Sequence, residues 1–222
     1  MNIDHQVYEM VSKNLNSESV IIDIGAYTGK IANDLIKKTN TNKKNYYLIE
    51  ACPNNFKQLK KNCGECKLYN IAIGDKTGKI DFYIGNHKKS EGSSQANSLY
   101  KFFIEGKEWN KKTKKIEIDS YILDDFIKIN KISDIDFIKI NCEGGEYKIF
   151  SSLTLDFLEK TKYIYLQLHG KDKNFITDDM VKLKLKINDE IIKRNFELVL
   201  GDNYADIPKI KDHIHQLWKK KC

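Results

Sequence analysis

The apolar segment Val20-Ile21-Ile22-Asp23-Ile24 runs directly into Gly25-Ala26-Tyr27-Thr28-Gly29. A buried strand that breaks at Gly25 lets the backbone approach a ligand, and Gly29 opens the following helix, an arrangement suited to a nucleotide-type cofactor. Glu50 closes the next apolar run, Tyr46 to Ile49. It lies about 20 residues after Gly29, where a carboxylate can accept bonds from both hydroxyls of a ribose. A nicotinamide dinucleotide is one candidate ligand, but the G-x-G-x-x-G order is absent and Asp23 would repel a pyrophosphate. S-adenosylmethionine carries no phosphate, and its ammonium and sulfonium are positive. Acid, glycines and later acid together favour methyl transfer over hydride transfer. For this segment taken alone, an ordinary tight turn with chance glycines stays open.

These residues need a scaffold, and the apolar periodicity supplies one. Val7, Met10, Val11 and Leu15 mark an opening helix within residues 1–18, and Ile31, Ala32, Leu35 and Ile36 mark the helix after the turn. Pro53 suits the first turn of a third helix through Phe56, Leu59 and Lys60. Leu68 to Ile73 reads as one further strand, Lys79 to Ile84 as an added hairpin strand, and Ile116 to Ile118 as another. A helix through Leu123, Phe126 and Ile127, the strand Ile135 to Ile140, a helix from about Glu146 and the strand Tyr163 to Leu168 follow. A helix through Met180, Leu183, Ile187 and Ile191 and closing strands at Phe196 to Leu200 and Ile214 to Trp218 complete the pattern. Strands buried on both faces and alternating with helices predict a doubly wound α/β fold: a mostly parallel, seven-stranded, Rossmann-like sheet with helices on both faces. No repeat or linker divides residues 1–222, so one domain is expected. Residues 85–115 break the pattern and read as an irregular insertion on the substrate side.

Composition sets broad limits. Lys and Arg exceed Asp and Glu, for a net charge of +7. That excess permits attraction to nucleic acid, anionic lipid or a phosphorylated sugar without selecting among them. Cys52, Cys63, Cys66, Cys142 and Cys222 are odd in number and no apolar signal region follows Met1, so a secreted disulfide framework is not expected and a reducing cytoplasm is. No apolar run approaches the roughly 18 to 20 residues needed to cross a bilayer.

Five blocks, taken in order, resemble the FkbM family of S-adenosylmethionine-dependent methyltransferases. They are Asp23 to Gly29, Ile49 to Phe56, Asn70 to Gly74, Leu123 to Phe126 and Asp136 to Glu146. The resemblance covers roughly residues 20–170, and the last block, Asp-Phe-Ile-Lys-Ile-Asn-Cys-Glu-Gly-Gly-Glu, is its most specific part. It implies that Asp23, Gly25 and Ala26, in the turn with Tyr27 and Gly29, line the methionine end of the cofactor. It further implies that Glu50, with Ala51 beside it, holds the ribose, and that Asn70, Ile71 and Ala72 lie beside the adenine. Ligands of a doubly wound sheet sit beyond the carboxyl ends of its strands, which would gather Gly25, Glu50, Asn141 and Glu143 around one crevice, with Asn141 among the cofactor contacts. The implied acceptor is a hydroxyl on a sugar, glycan or other small polar metabolite. An RNA-directed methyltransferase and a catalytically weakened cofactor-binding protein are the alternatives.

The chain departs from the family where the Asp of Asp-x-Glu-Gly-x-Glu has become Asn141, and where Gln167 stands in a strand whose relatives commonly carry Glu. Losing two carboxylates disfavours Mg²⁺ or Ca²⁺, so no required metal is expected. His169 has the most suitable ordinary pKa for a general base, with Glu143 as an alternative; a purely structural histidine is an equal reading. Glu146 is a further alternative, or a helix cap. The single Cys63-x-x-Cys66 pair is too few ligands for structural zinc. His213 and His215 share a strand face and read as solvated. Tyr100, Phe102, Phe103 and Trp109 would form a lid over the acceptor or pack the insertion onto the sheet, with Ser98-Leu99 resembling a short family element. The Lys111 to Lys115 and Lys219 to Lys221 runs read as solvated faces, with nucleic-acid contact possible but not favoured.

Overall fold

The computed structural model describes residues 3–85, 97–101, 113–169, 178–203 and 213–221. Phe102, Phe103 and Trp109, and most of the 85–115 insertion, lie outside them. In chain order the elements are α1 (Ile3–Ser12), β1 (Ile21–Ile24), α2 (Lys30–Thr39), β2 (Tyr46–Ile49), α3 (Pro53–Asn62), β3 (Lys67–Tyr69), β4 (Ala72–Ile73), β5 (Gly78–Ile84) and β6 (Asn97–Ser98). They continue as β7 (Lys114–Tyr121), α4 (Leu123–Ile129), β8 (Ile135–Ile140), α5 (Glu146–Phe150), β9 (Thr161–His169), α6 (Asp178–Lys193), β10 (Phe196–Gly201) and β11 (His213–Lys220).

The main sheet has seven strands in the order β10-β11-β9-β8-β1-β2-β3. Its centre is parallel, and β11 runs antiparallel between β9 and β10. The expected mostly parallel sheet is therefore present. Alternation along each strand sorts the core into two layers. Ile22, Ile24, Tyr47, Ile49, Ile138 and Ile140 face one layer, with α4, α5 and α6. Ile21, Tyr46, Leu48, Phe137, Tyr163 and Tyr165 face the other, where α1 contributes Val7 and Val11 and α2 and α3 contribute Leu35 and Leu59.

Two expectations change. The apolar run Leu68 to Ile73 is not one strand: β3 belongs to the main sheet, and β4 pairs with β7 in a second, four-stranded sheet ordered β4-β7-β5-β6. The break falls at Asn70, whose Nδ2 donates to the carbonyls of Glu50 (2.8 Å) and Ala51 (3.1 Å). An amide that binds main-chain carbonyls in this way offers the backbone an alternative to the ladder. The opening helix ends at Ser12, short of residue 18, where the Ser12 hydroxyl donates to the carbonyl of Glu9.

The register that brings β1 and β8 together pairs Asp23 with Lys139. Lys139 Nζ donates to Asp23 Oδ1 at 2.7 Å and to the Gly25 carbonyl at 3.1 Å, and both side chains are almost completely buried. A buried charge is tolerated when paired and hydrogen-bonded. Replacing Lys139 by Met strands the Asp23 carboxylate. We expect a loss of about 3–5 kcal/mol in chemical denaturation, most of it recovered when Asp23→Asn is added.

Candidate active site

The turn after β1 is shaped by close packing. Gly25, Tyr27 and Gly29 all have positive φ, at 80°, 53° and 83°. A Cβ on Gly25 would lie 1.8 Å from the Asn141 carbonyl oxygen, so the ends of β1 and β8 can meet only at glycine. A Cβ on Gly29 would meet Cys63 Sγ at 2.3 Å and Leu59 Cδ1 at 2.8 Å, so this glycine admits α3 against the start of α2. The Gly25 and Ala26 N–H groups both donate to the Ile49 carbonyl at 3.0 Å, tying the turn to the end of β2.

Glu50 completes that half of the site. Its Oε2 accepts from the Tyr27 N–H (2.9 Å), and its Oε1 accepts from the Cys52 N–H (2.9 Å) and from Asn55 Nδ2 (3.3 Å). Burial raises its pKa to about 7 despite these donors. Its two oxygens are thus fixed in orientation at the edge of a cavity of ≈ 440 Å³. Ligand sites commonly fall in this size range.

The cavity lies at the carboxyl ends of the parallel strands, as a doubly wound sheet requires. On one side it is lined by Gly25, Ala26, Tyr27, Glu50, Ala51, Ile71 and Ala72, all expected to contact cofactor. On the other side stand Asn141, Glu143 and His169. Asp23, Gly29 and Asn70 are not among the lining residues, and Asn70 is exposed. Asp23 does not face a ligand's ammonium, as its position before the glycines suggested; it is consumed by Lys139, which itself reaches the cavity. The chemistry of the first side fits S-adenosylmethionine: an oriented carboxylate for a diol, apolar Ile49, Ile71 and Ala72 for a purine, and a glycine turn for close backbone approach.

The loop after β8 carries the catalytic candidates. Glu143 has a φ of 50°, an uncommon conformation for a residue with a long side chain. Such a backbone persists only where its surroundings impose it, as happens at active sites. Here Ser98 Oγ, fully buried on β6, donates to the Glu143 carbonyl at 2.6 Å. On either side of Glu143, the Cys142 and Gly144 N–H groups donate to Glu146 Oε1 (2.5 Å) and Oε2 (2.8 Å). Glu146 is fully buried and anchors this loop, a more specific task than capping α5.

His169 lies between both acids. Its Nδ1 is 2.9 Å from Glu146 Oε1 and its Nε2 is 3.4 Å from Glu143 Oε1. Burial opposes the imidazolium, but the two carboxylates outweigh it and raise the pKa to about 10. A ring held protonated at neutral pH donates from both nitrogens and cannot act there as a general base. This arrangement does not favour the expected role of His169 as the base; its Nε2 lies beside Glu143, which is a quarter exposed and lines the cavity.

Asn141 and Gln167 are partners. Asn141 Nδ2 donates to Gln167 Oε1 at 2.6 Å, and Gln167 Nε2 donates to Asp4 Oδ1 at 2.9 Å and to the Tyr165 hydroxyl at 3.0 Å. One group must accept on one side and donate to a carboxylate on the other, which an amide does and a glutamate does not. His215, read as solvated, instead bonds the Tyr165 hydroxyl through Nδ1 at 2.8 Å, lies 3.7 Å from Asp4 Oδ1, and lines the cavity. The side chain of His213 lies outside what the structure describes.

Sequence reading missed Lys139 and Asp4 and the roles of Ser98 and His215. Beyond the family resemblance of Ser98-Leu99, only Lys139 left a signal: a charge inside the buried run Ile135 to Ile140 requires a buried partner. The other three act through contacts distant in sequence. Cys63 and Cys66 are free thiols, and the Cys63 thiol faces the Gly29 carbonyl at 3.6 Å. Among the described residues no helix is long and apolar enough to cross a membrane.

Comparison with known proteins bears on the family and the fold. The chain is 24% identical over 178 residues to the 2-O-methyltransferase NoeI of Sinorhizobium fredii, spanning 78% of this chain and 71% of that one. Its fold is similar to a crystal structure of Methyltransferase FkbM from Methylobacillus flagellatus, with a TM-score of 0.54 and 16% identity over 92% of this chain. The chain spans only 44% of that protein's length. It also matches a candidate methyltransferase of Streptococcus mutans in complex with S-adenosylhomocysteine, with a TM-score of 0.54 and 10% identity over 100% of this chain and 99% of that one. The family profile described as the methyltransferase FkbM domain matches residues 23–198, and the chain therefore belongs to the FkbM family of S-adenosylmethionine-dependent methyltransferases.

Proposed function

We propose that this protein transfers the methyl group of S-adenosylmethionine to a hydroxyl oxygen of a sugar, glycan or other small polar metabolite, with Glu143 as the proton acceptor. The observation that carries this reading is the strained, clamped Glu143, aimed into the cavity across from the Gly25 turn and Glu50. The relative named a 2-O-methyltransferase supports oxygen as the methylated atom. When bound, the cofactor supplies a methyl group on a sulfonium that is already a good leaving group.

The residues of this chain have the remaining tasks. Glu50 holds the ribose diol, with Ala51, Ile71 and Ala72 beside the adenine, and the backbone at Gly25, Ala26 and Tyr27 forms the floor under the methionine end. Asn141, fixed by Gln167, borders the space between cofactor and acceptor. Glu143 accepts the hydroxyl proton as the oxygen forms its bond to the methyl carbon, and the imidazolium of His169 holds the carboxylate in line. Alignment of the two reactants provides much of the rate in such a displacement. Asn141 and Gln167 place neutral amide oxygens where the family commonly carries acids, weaker ligands for Mg²⁺ or Ca²⁺, which supports a metal-independent reaction.

Calorimetric titration with S-adenosylhomocysteine tests the cofactor half. The intact chain is expected to bind, and Glu50→Gln to weaken binding by roughly 10- to 100-fold, the range of a hydrogen bond to a charged group. Because burial raises the Glu50 pKa to about 7, affinity should fall as pH drops below that value and the carboxylate takes up a proton. Glu50→Gln should remove that dependence; an unchanged pH profile in the variant would assign it elsewhere. Gly25 is a poor choice for this test, because any side chain there collides with the Asn141 carbonyl.

The protonation of His169 can be read directly. Nitrogen-15 spectra should show both ring nitrogens protonated at neutral pH, with deprotonation near pH 10 and a lower midpoint in Glu146→Gln. In a screen against hydroxylated sugars, Glu143→Gln should lower kcat by about 10²- to 10⁴-fold, the usual contribution of a general base, while leaving S-adenosylhomocysteine affinity within about threefold. A neutral His169 at pH 7, or full activity of Glu143→Gln, would refute this division of roles.

A further inference from the structure

The proposed methyl transfer leaves one end of the cavity without a task. Beyond Asn141, over β9 and β11, its lining is Asp4, Gln167 and His215. Asp4 comes from the first turn of α1 and His215 from β11, so both lie outside the family-matched segment 23–198. Residues there are placed to distinguish this protein from relatives that share its cofactor half.

Resting on that reading, we propose that Asp4, Gln167 and His215 form an acceptor subsite for an uncharged, polyhydroxylated ring, recognised through neighbouring hydroxyls, and that this subsite rejects acceptors carrying phosphate. The three side chains converge. Asp4 Oδ1 takes hydrogen bonds from Gln167 Nε2 and from the Tyr165 hydroxyl, and His215 Nδ1 contacts both Asp4 and Tyr165. Asp4 is one-third exposed and His215 one-quarter exposed, so the cluster is anchored from behind while part of it faces the cavity. The neighbouring His215 holds the Asp4 carboxyl below the ordinary range, and burial opposes this only in part. An ionised carboxylate beside an imidazole offers acceptors and a donor to a pair of hydroxyls, the same chemistry by which an acid holds a ribose diol.

The charges argue against phosphate. Two lysines, Lys30 and Lys139, line the cavity among the described residues. Lys139 is bound to Asp23 and the Gly25 carbonyl, and Lys30 is exposed at the start of α2. The acceptor end presents Asp4 and Glu143, while the His169 imidazolium there is shared between Glu143 and Glu146, and like charges brought together at a binding surface suppress the wrong partner. An RNA backbone would meet the same two carboxylates.

The test uses the full chain saturated with S-adenosylhomocysteine, probed by saturation-transfer NMR with methyl glycosides of glucose, galactose, mannose and rhamnose and with the corresponding sugar 1-phosphates. At least one glycoside should bind saturably, and its phosphate about tenfold or more weakly. Asp4→Asn and His215→Gln should each weaken that glycoside by about tenfold while S-adenosylhomocysteine affinity stays within about threefold. Phosphates binding more tightly than their parent sugars, no glycoside binding to the cofactor-loaded chain, or unaltered glycoside binding in both variants would each overturn the subsite while leaving methyl transfer standing. Failure of the unaltered chain to bind S-adenosylhomocysteine would overturn both.

Discussion

The ion pair between Lys139 and Asp23 is the contact on which the site depends. It joins the two strands flanking the cofactor turn, and the same ammonium reaches past Asp23 to the Gly25 carbonyl. Taking two charges out of water costs several kcal/mol, which good geometry and further hydrogen bonds must offset. Here the ammonium is satisfied by carboxylate and carbonyl together, while Asp23 Oδ2 has no hydrogen-bond partner among the described residues. The pair therefore serves position more than stability. It fixes where β1 ends relative to β8, and so makes glycine obligatory at position 25, against the Asn141 carbonyl.

The same sheet face extends this logic outward. Near the amino ends of the strands it bears Ile21, Phe137 and Tyr163, and it is packed by α1, α2 and α3. Two residues further along each strand, where a side chain returns to the same face, come Asp23, Lys139 and Tyr165, and then Asn141 and Gln167. The core thus passes from apolar to charged to amide as it approaches the cavity, and each polar group is held by one from a neighbouring strand. Asp4 closes this series from α1. Its carboxylate dictates an amide at position 167, so the departure from the family's usual Glu is a consequence of what α1 brings to the site.

Local pattern made the scaffold legible. Buried runs, the glycine turn and Glu50 are contiguous signals, and the strands at 21–24, 46–49 and 135–140 stand where alternation and turn residues put them. The split between β3 and β4 was not legible, because Leu68 to Ile73 is uniformly suited to a strand and only the Asn70 amide, bonding the carbonyls of Glu50 and Ala51, interrupts it. His169 was legible as a site residue but not in its charge state. An ordinary imidazole titrates near neutrality, and two carboxylates at contact distance reverse that expectation. His215 and Asp4 were invisible because their partners are 50 and 163 residues away in sequence.

The smaller sheet ties residues 97–98 to the loop that carries Glu143, the proton acceptor of the proposed reaction. Its strand β6 is only Asn97–Ser98, held to β5 by two register pairs, yet Ser98 supplies the bond that keeps Glu143 in its strained conformation. Glu143 is thereby restrained by an element separated from it by 45 residues as well as by Glu146 just beyond it. A left-handed glutamate held from one side alone could relax by rotating its peptide, which would swing the carboxylate away from the cavity. Held from both sides it cannot, so alterations that loosen β6 should act on the proposed proton transfer before they act on cofactor binding, whose proposed contacts are secured separately through β1, β2 and Asn70.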